Sequence, residues 1–213
     1  NFVANESMNI IPSTTEQANL LLNVQEVFEQ VKLLTKDEAH STNTSVSEDI
    51  QLMVKRAEYT LDLLQQITLL RLSCDGNSIC SLDARPAIRV LANKGKEDLN
   101  NCTLTATEDI DVSSEQLANT TNAAIDRSQV LLDDLAACSK KVGLAVISCY
   151  KGIIATEVVP VKHILLGAIE AHKAAHLKAL DIRKQASMCV DEIVGRYKTL
   201  LEKELENALR CNL

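Results

Sequence analysis

SSEQLANTTNAAIDRSQVLLDDLAACSKKVGLAVISCY, residues 113–150, is the stretch that decides the fold. It opens on Ser113-Ser-Glu-Gln116, a capping box in which a serine hydroxyl and a long polar side chain satisfy backbone groups at a helix start. Leu117, Thr121, Ala124, Ile125, Ser128, Leu131, Leu132, Leu135, Cys138, Val142, Ala145 and Cys149 then recur at helical spacing. That is the period of one helix face. We therefore expect a long helix D from 113, reaching Val158, with bends at Gly143 and Gly152 and a break at Val159-Pro160-Val161. Helix E follows over about 162–210.

Toward the N-terminus the same period recurs. Asp83 caps helix C, with Pro86 in its first turn, where the missing N–H costs nothing. It runs to about 110, with a weak point at Gly95. Cys74-Asp-Gly-Asn-Ser-Ile-Cys80 is a loop. Helix B runs from a Ser47 cap to about Ser73, and helix A from about 14 to 37 behind the capping box Ser13-Thr-Thr-Glu16. His40–Ser47 links the two. The expected fold is all-α: an elongated antiparallel bundle of about five helices cross-linked by disulfides. Residues 1–79 make an N-terminal helical hairpin and 80–213 a three-helix unit packed against it.

Composition agrees with that class. Six Gly and three Pro in 213 residues are too few for the turns of a sandwich or barrel. At 46% hydrophobic, the chain can build a core. No run of eighteen apolar residues occurs, so no transmembrane segment is expected. A net charge of −7 and only five aromatic residues offer neither a basic track for phosphates nor platforms for bases, so no nucleic-acid partner is expected.

Seven cysteines, with no CxxC pair, accompany four N-glycosylation sequons at Asn5, Asn43, Asn101 and Asn119. Together they point to a secreted, extracellular protein with disulfides, and the polar-mixed start reads as a mature chain whose signal peptide has been removed. Cys138 and Cys149 are eleven residues apart, about 16 Å along a continuous helix. A disulfide needs Cα atoms within about 7 Å, so these two cannot pair if helix D is unbroken. With hairpin turns near 112 and 160–163, the register suggests Cys80–Cys149, Cys102–Cys211 and Cys138–Cys189, leaving Cys74 odd. A Cys74–Cys80 bridge is the main alternative and would free Cys149. An odd cysteine in a secreted chain is a buried free thiol, an intermolecular disulfide making a homodimer, or an adduct with a small ligand.

The framework Cys80-x21-Cys102, Cys138, Cys149-Tyr150, Cys189, closing on Leu209-Arg-Cys211, resembles that of the TsetseEP-type domain over residues 80–213. The resemblance implies an extracellular insect glycoprotein without catalytic residues. The Glu-Pro tail that names the family is absent here.

No P-loop, GxGxxG, GxSxG or HExxH motif occurs. His172 and His176 have metal-compatible spacing beside Glu170, but the amphipathic setting reads as plain surface. Asp133-Asp134 reads as a solvated face. No metal, cofactor or catalytic residue is expected. Two non-enzymatic functions remain, the first the main expectation and the second its alternative. A carrier would hold a small hydrophobic molecule between helices, in a cavity lined by Leu61, Leu64, Leu131, Leu135, Leu165 and Ile169. A structural or interaction glycoprotein, for defence or a secreted matrix, would have no cavity. It would show an exposed stripe on a helix and self-associate through that stripe or Cys74.

Overall fold

The computed structural model describes residues 15–74 and 79–210, with side chains placed at 19–34, 42–74 and 79–210. Among the described residues only 140–143 are not helical. The helices are α1 (Thr15–Cys74), α2 (Ile79–Ser139), α3 (Leu144–Ile153) and α4 (Val159–Arg210), with a π turn at Ile154–Val158 joining α3 to α4. The all-α class holds, with four helices in place of five.

The missing boundaries have physical causes. Ser113-Ser-Glu-Gln116 lies inside α2, where Ser113 is buried. A capping box and a helix seam share the i, i+3 spacing, so the motif alone does not mark an end. His40–Ser47 lies inside α1, so the expected hairpin over 1–79 is replaced by one helix. Pro86 sits in the second turn of α2, which begins at Ile79 and not at Asp83. Pro160 does not break the chain. Its ring would strike the Thr156 carbonyl in a regular helix, and the π turn just before it widens the spiral so that helix continues on both sides.

The turn that does form is Lys140–Gly143. Lys140 N donates to Ala137 O at 3.3 Å and Lys141 N to Cys138 O at 3.1 Å, closing α2. Gly143 then adopts φ +67°, a left-handed conformation that only glycine takes cheaply, and α3 starts.

The described residues pack as two compact units. One takes the chain up to Ser41 with Ser113–Leu177; the other takes Thr42–Val112 with Lys178 onward. In the first, Val24, Phe28 and Val31 of α1 meet Leu131, Leu135 and Cys138 of α2 and Tyr150, Ile154, Val161 and Leu165 of the α3–α4 run. In the second, Val54, Ala57 and Leu61 meet Leu99, Cys102, Val190, Ile193 and Tyr197. Flanking it, Ile50, Ala106, Ile110, Ala179 and Ile182 form one further layer, and Leu72, Ala84, Ile88, Leu201 and Leu205 another. Buried positions step by three and four along each helix, the geometry of a coiled-coil seam. Polar residues on the seam return their hydroxyls to their own helix: Thr68 to Leu64 O (2.7 Å), Thr121 to Leu117 O (2.8 Å) and Ser128 to Ala124 O (2.7 Å).

Gly95 is a close approach between helices, not a weak point. A Cβ there would lie 2.8 Å from Leu61 Cδ1 and 3.0 Å from Tyr197 Cγ. The Tyr197 hydroxyl donates to Asp98 Oδ2 at 2.7 Å, so the ring has little room to yield. Gly95→Ala gains about 1 kcal/mol of helix propensity and meets an overpacking cost of about 1–3 kcal/mol. We expect a net loss of stability, read as a lower denaturation midpoint with an unchanged helical signal.

Candidate functional site

Two disulfides join described residues: Cys102–Cys189, with Cα atoms 6.1 Å apart, and Cys138–Cys149, at 5.6 Å. Cys80 is also disulfide-bonded. The pairing expected from hairpins near 112 and 160–163 is thereby corrected, because the turn lies at 140–143. A turn there sets Cys138 beside Cys149 and, further along the same register, Cys102 beside Cys189. The helical continuity that forbade Cys138–Cys149 is interrupted between them. Cys211 and Asn5 lie outside the described residues.

Cys74 is a free thiol and exposed, which removes the buried-thiol alternative. It ends α1 at the foot of an apolar stripe. Leu52, Tyr59, Leu63, Ile67 and Leu70 are 39–65% exposed. At 100° per residue they and Cys74 fall within about 80° of one another.

The residues expected to line a carrier cavity lie in two separate groups. Leu131, Leu135, Leu165 and Ile169 belong to the packed core of the first unit, the first three fully buried. Leu61 and Leu64 belong to the second. None of the six lines the groove that the second unit does possess. That groove, of about 540 Å³ and open to solvent, runs between α2 and α4. Its floor is the Cys102–Cys189 bridge with Ala106, Ala186 and Ile182, and its rim carries Asp98, Asp109, Glu192 and Arg196. Arg196 Nη2 donates to Asp98 Oδ2 at 2.5 Å, on the same oxygen that accepts from Tyr197. Burial, then the Asp98 carboxylate, holds the Tyr197 phenol above its ordinary range. Sequence patterning missed the groove because its lining alternates apolar and acidic residues and makes no motif.

The sequons show a common geometry. Asn101 and Asn119 are exposed on α2, whereas the Thr103 hydroxyl is buried without a hydrogen-bond partner and Thr121 is buried against His172 Nε2 at 3.2 Å. Asn43 is the reverse, half-buried with Ser45 exposed. In a helix, residues two apart point to opposite sides. His172 is thus a core residue, not plain surface, while His176 is exposed. Among the described residues no group of three or more His, Cys, Asp or Glu could hold a metal ion.

The helical run Leu144–Arg210 contains an 18-residue window apolar enough to cross a membrane by length and composition, and 28% of that window is buried. Stretches of this length and composition also occur as core helices.

A family model described as a protein of unknown function (DUF725) matches residues 77–193, more than half of the chain. No curated protein and no solved structure matches the chain.

Proposed function

We propose, for a chain that belongs to the DUF725 family, a secreted, non-enzymatic interaction glycoprotein that self-associates along α1. The resemblance to the TsetseEP-type domain adds an insect, extracellular setting to this proposal. The observation that carries it is the exposed stripe ending at Cys74. Arg56 lies on this face between Leu52 and Tyr59, and no charged side chain follows on it between Tyr59 and Cys74. Asp62 and Arg71 lie on its opposite flanks. Over Tyr59–Cys74 a second copy therefore meets no like-charge repulsion, and a charged partner finds nothing to pair with there. When the faces meet, the two Cys74 thiols give up two protons and two electrons to a disulfide oxidant such as oxidised glutathione. The oxidant leaves as two thiols and an intermolecular bridge forms.

Under a glutathione redox buffer set to oxidising poise we expect a covalent dimer on non-reducing electrophoresis. Cys74→Ser abolishes the covalent dimer, and Leu63→Asp with Ile67→Asp weakens the residual association in sedimentation velocity. A chain that stays monomeric at millimolar concentration in that buffer rejects the proposal.

The groove favours a second reading, the carrier. Its apolar floor and acidic rim suit a small hydrophobic molecule with a cationic end. Mass spectrometry of an organic extract of native protein decides it: a stoichiometric co-purified molecule supports a carrier, and an empty extract ends that reading.

A further inference from the structure

The turn between α2 and α3 carries the two most exposed large hydrophobic side chains among the described residues, Val142 at 88% and Leu144 at 83%, with Ile147 at 43% beside them. Exposed Lys140, Lys141 and Lys151 surround them. No acidic residue occurs between Asp134 and Glu157, although the chain as a whole carries −7. The tip is also held in shape. Cys138–Cys149 clamps its base, and Tyr150 is buried in the core behind it. A rigid apolar tip ringed by cations is unlike the rest of this acidic surface.

We propose that the α2–α3 tip docks the protein on an anionic phospholipid bilayer. Val142 and Leu144 enter the boundary between headgroups and acyl chains, and the three lysines lie at the level of the phosphates, with their stems along the apolar layer. The occupant follows from charge. The lysines attract an anionic surface, while the tip's apolar side chains need a medium that accepts hydrocarbon, and a bilayer of acidic lipids supplies both. A second copy meeting tip to tip does not, since it would set lysines against lysines. The tip docks without spanning, because the opposite face of the α3–α4 run (Tyr150, Ile154, Val158, Val161) belongs to the protein core. This inference goes beyond self-association along α1 and does not depend on it.

The chain contains no tryptophan, so Leu144→Trp places one reporter at the tip. With the full chain and vesicles of phosphatidylcholine plus phosphatidylglycerol, its emission shifts to the blue; with phosphatidylcholine alone it does not. In co-sedimentation at low salt, Leu144→Asp, or Lys140→Glu with Lys141→Glu, weakens binding by about tenfold or more, and molar salt weakens the wild type likewise. All these positions are exposed, and an unchanged circular dichroism spectrum confirms that the variants fold. Three outcomes overturn the proposal: no binding to anionic vesicles, equal binding to neutral ones, or variants that bind like the wild type. A blue shift that grows with protein concentration in the absence of vesicles also overturns it, by assigning the tip to a contact between copies. The Cys74→Ser variant binds vesicles unchanged, which separates this result from the fate of the dimer.

Discussion

Removing the Cys102–Cys189 bridge, as Cys102→Ala with Cys189→Ala, lowers stability by about 3–5 kcal/mol, and removing Cys138–Cys149 in the same way costs about 2–3 kcal/mol. The order follows from the chain each bridge closes, 87 residues in the first case and 11 in the second. The entropy a bridge removes from the unfolded chain grows with the logarithm of loop length, which separates the two by about 2 kcal/mol. Packing does not separate the two, because each bridge has one well-buried partner, Cys102 or Cys138, and one half-buried partner. Guanidinium unfolding of the oxidised variants measures both. If the short bridge proves the costlier one, it is stabilising the turn locally, and loop closure is not the main source of its effect. The long bridge also floors the groove between α2 and α4. Its loss therefore opens that groove as well as destabilising the unit, and any small molecule held there is lost with it.

Helical class was legible because the three-and-four period is a property of single residues. Leu131, Leu135 and Cys138 were assigned to one helix face from spacing alone, and all three are buried. Helix ends were less legible because their signals are local and ambiguous. Ser113-Ser-Glu-Gln116 has the residues of a cap but sits on a seam, where a serine fits the close packing of helices. Pro160 has the residue of a break, yet a single widened turn absorbs it. The real reversal at Lys140–Gly143 is marked by one glycine and two lysines, with no proline or Asn/Asp signal to raise it above Gly152 or Gly95. Every disulfide register depends on where that reversal falls, so one misplaced turn displaced the pairing. The exposed features were invisible for a different reason. Leu61 and Leu64 were expected between helices and pack against the core, while Leu63, Ile67 and Leu70 are equally apolar and only the packing shows them outside it.

Leu61→Ala and Leu131→Ala, each made singly, separate a packed core from a ligand-filled slot and carry an effect as large as the bridge. Leu61 is 0% exposed and lies against Gly95, in a layer with Leu99 and Tyr197. Leu131 is 1% exposed among Leu135, Leu165 and Ala168. If neighbouring side chains fill the space, each truncation loses transfer energy and leaves a void, for about 2–5 kcal/mol. If the space holds an apolar ligand in the native protein, a larger ligand fills the enlarged site and the stability of the loaded form changes little, while the purified ligand-free chain is already weak. Chemical denaturation of native material before and after organic extraction therefore discriminates. A packed core gives wild-type curves that superpose and alanine variants that lose several kcal/mol in both. Leu131→Ala carries a further consequence. Leu131 shares its cluster with Cys138 and Tyr150, at the base of the lysine-ringed tip. Since Cys138–Cys149 fixes the tip covalently, truncating Leu131 lowers the global midpoint while leaving binding to acidic vesicles intact at temperatures where the variant remains folded. A loss of vesicle binding that tracks the loss of stability instead means that the core behind the tip, and not the bridge, holds Val142 and Leu144 in place.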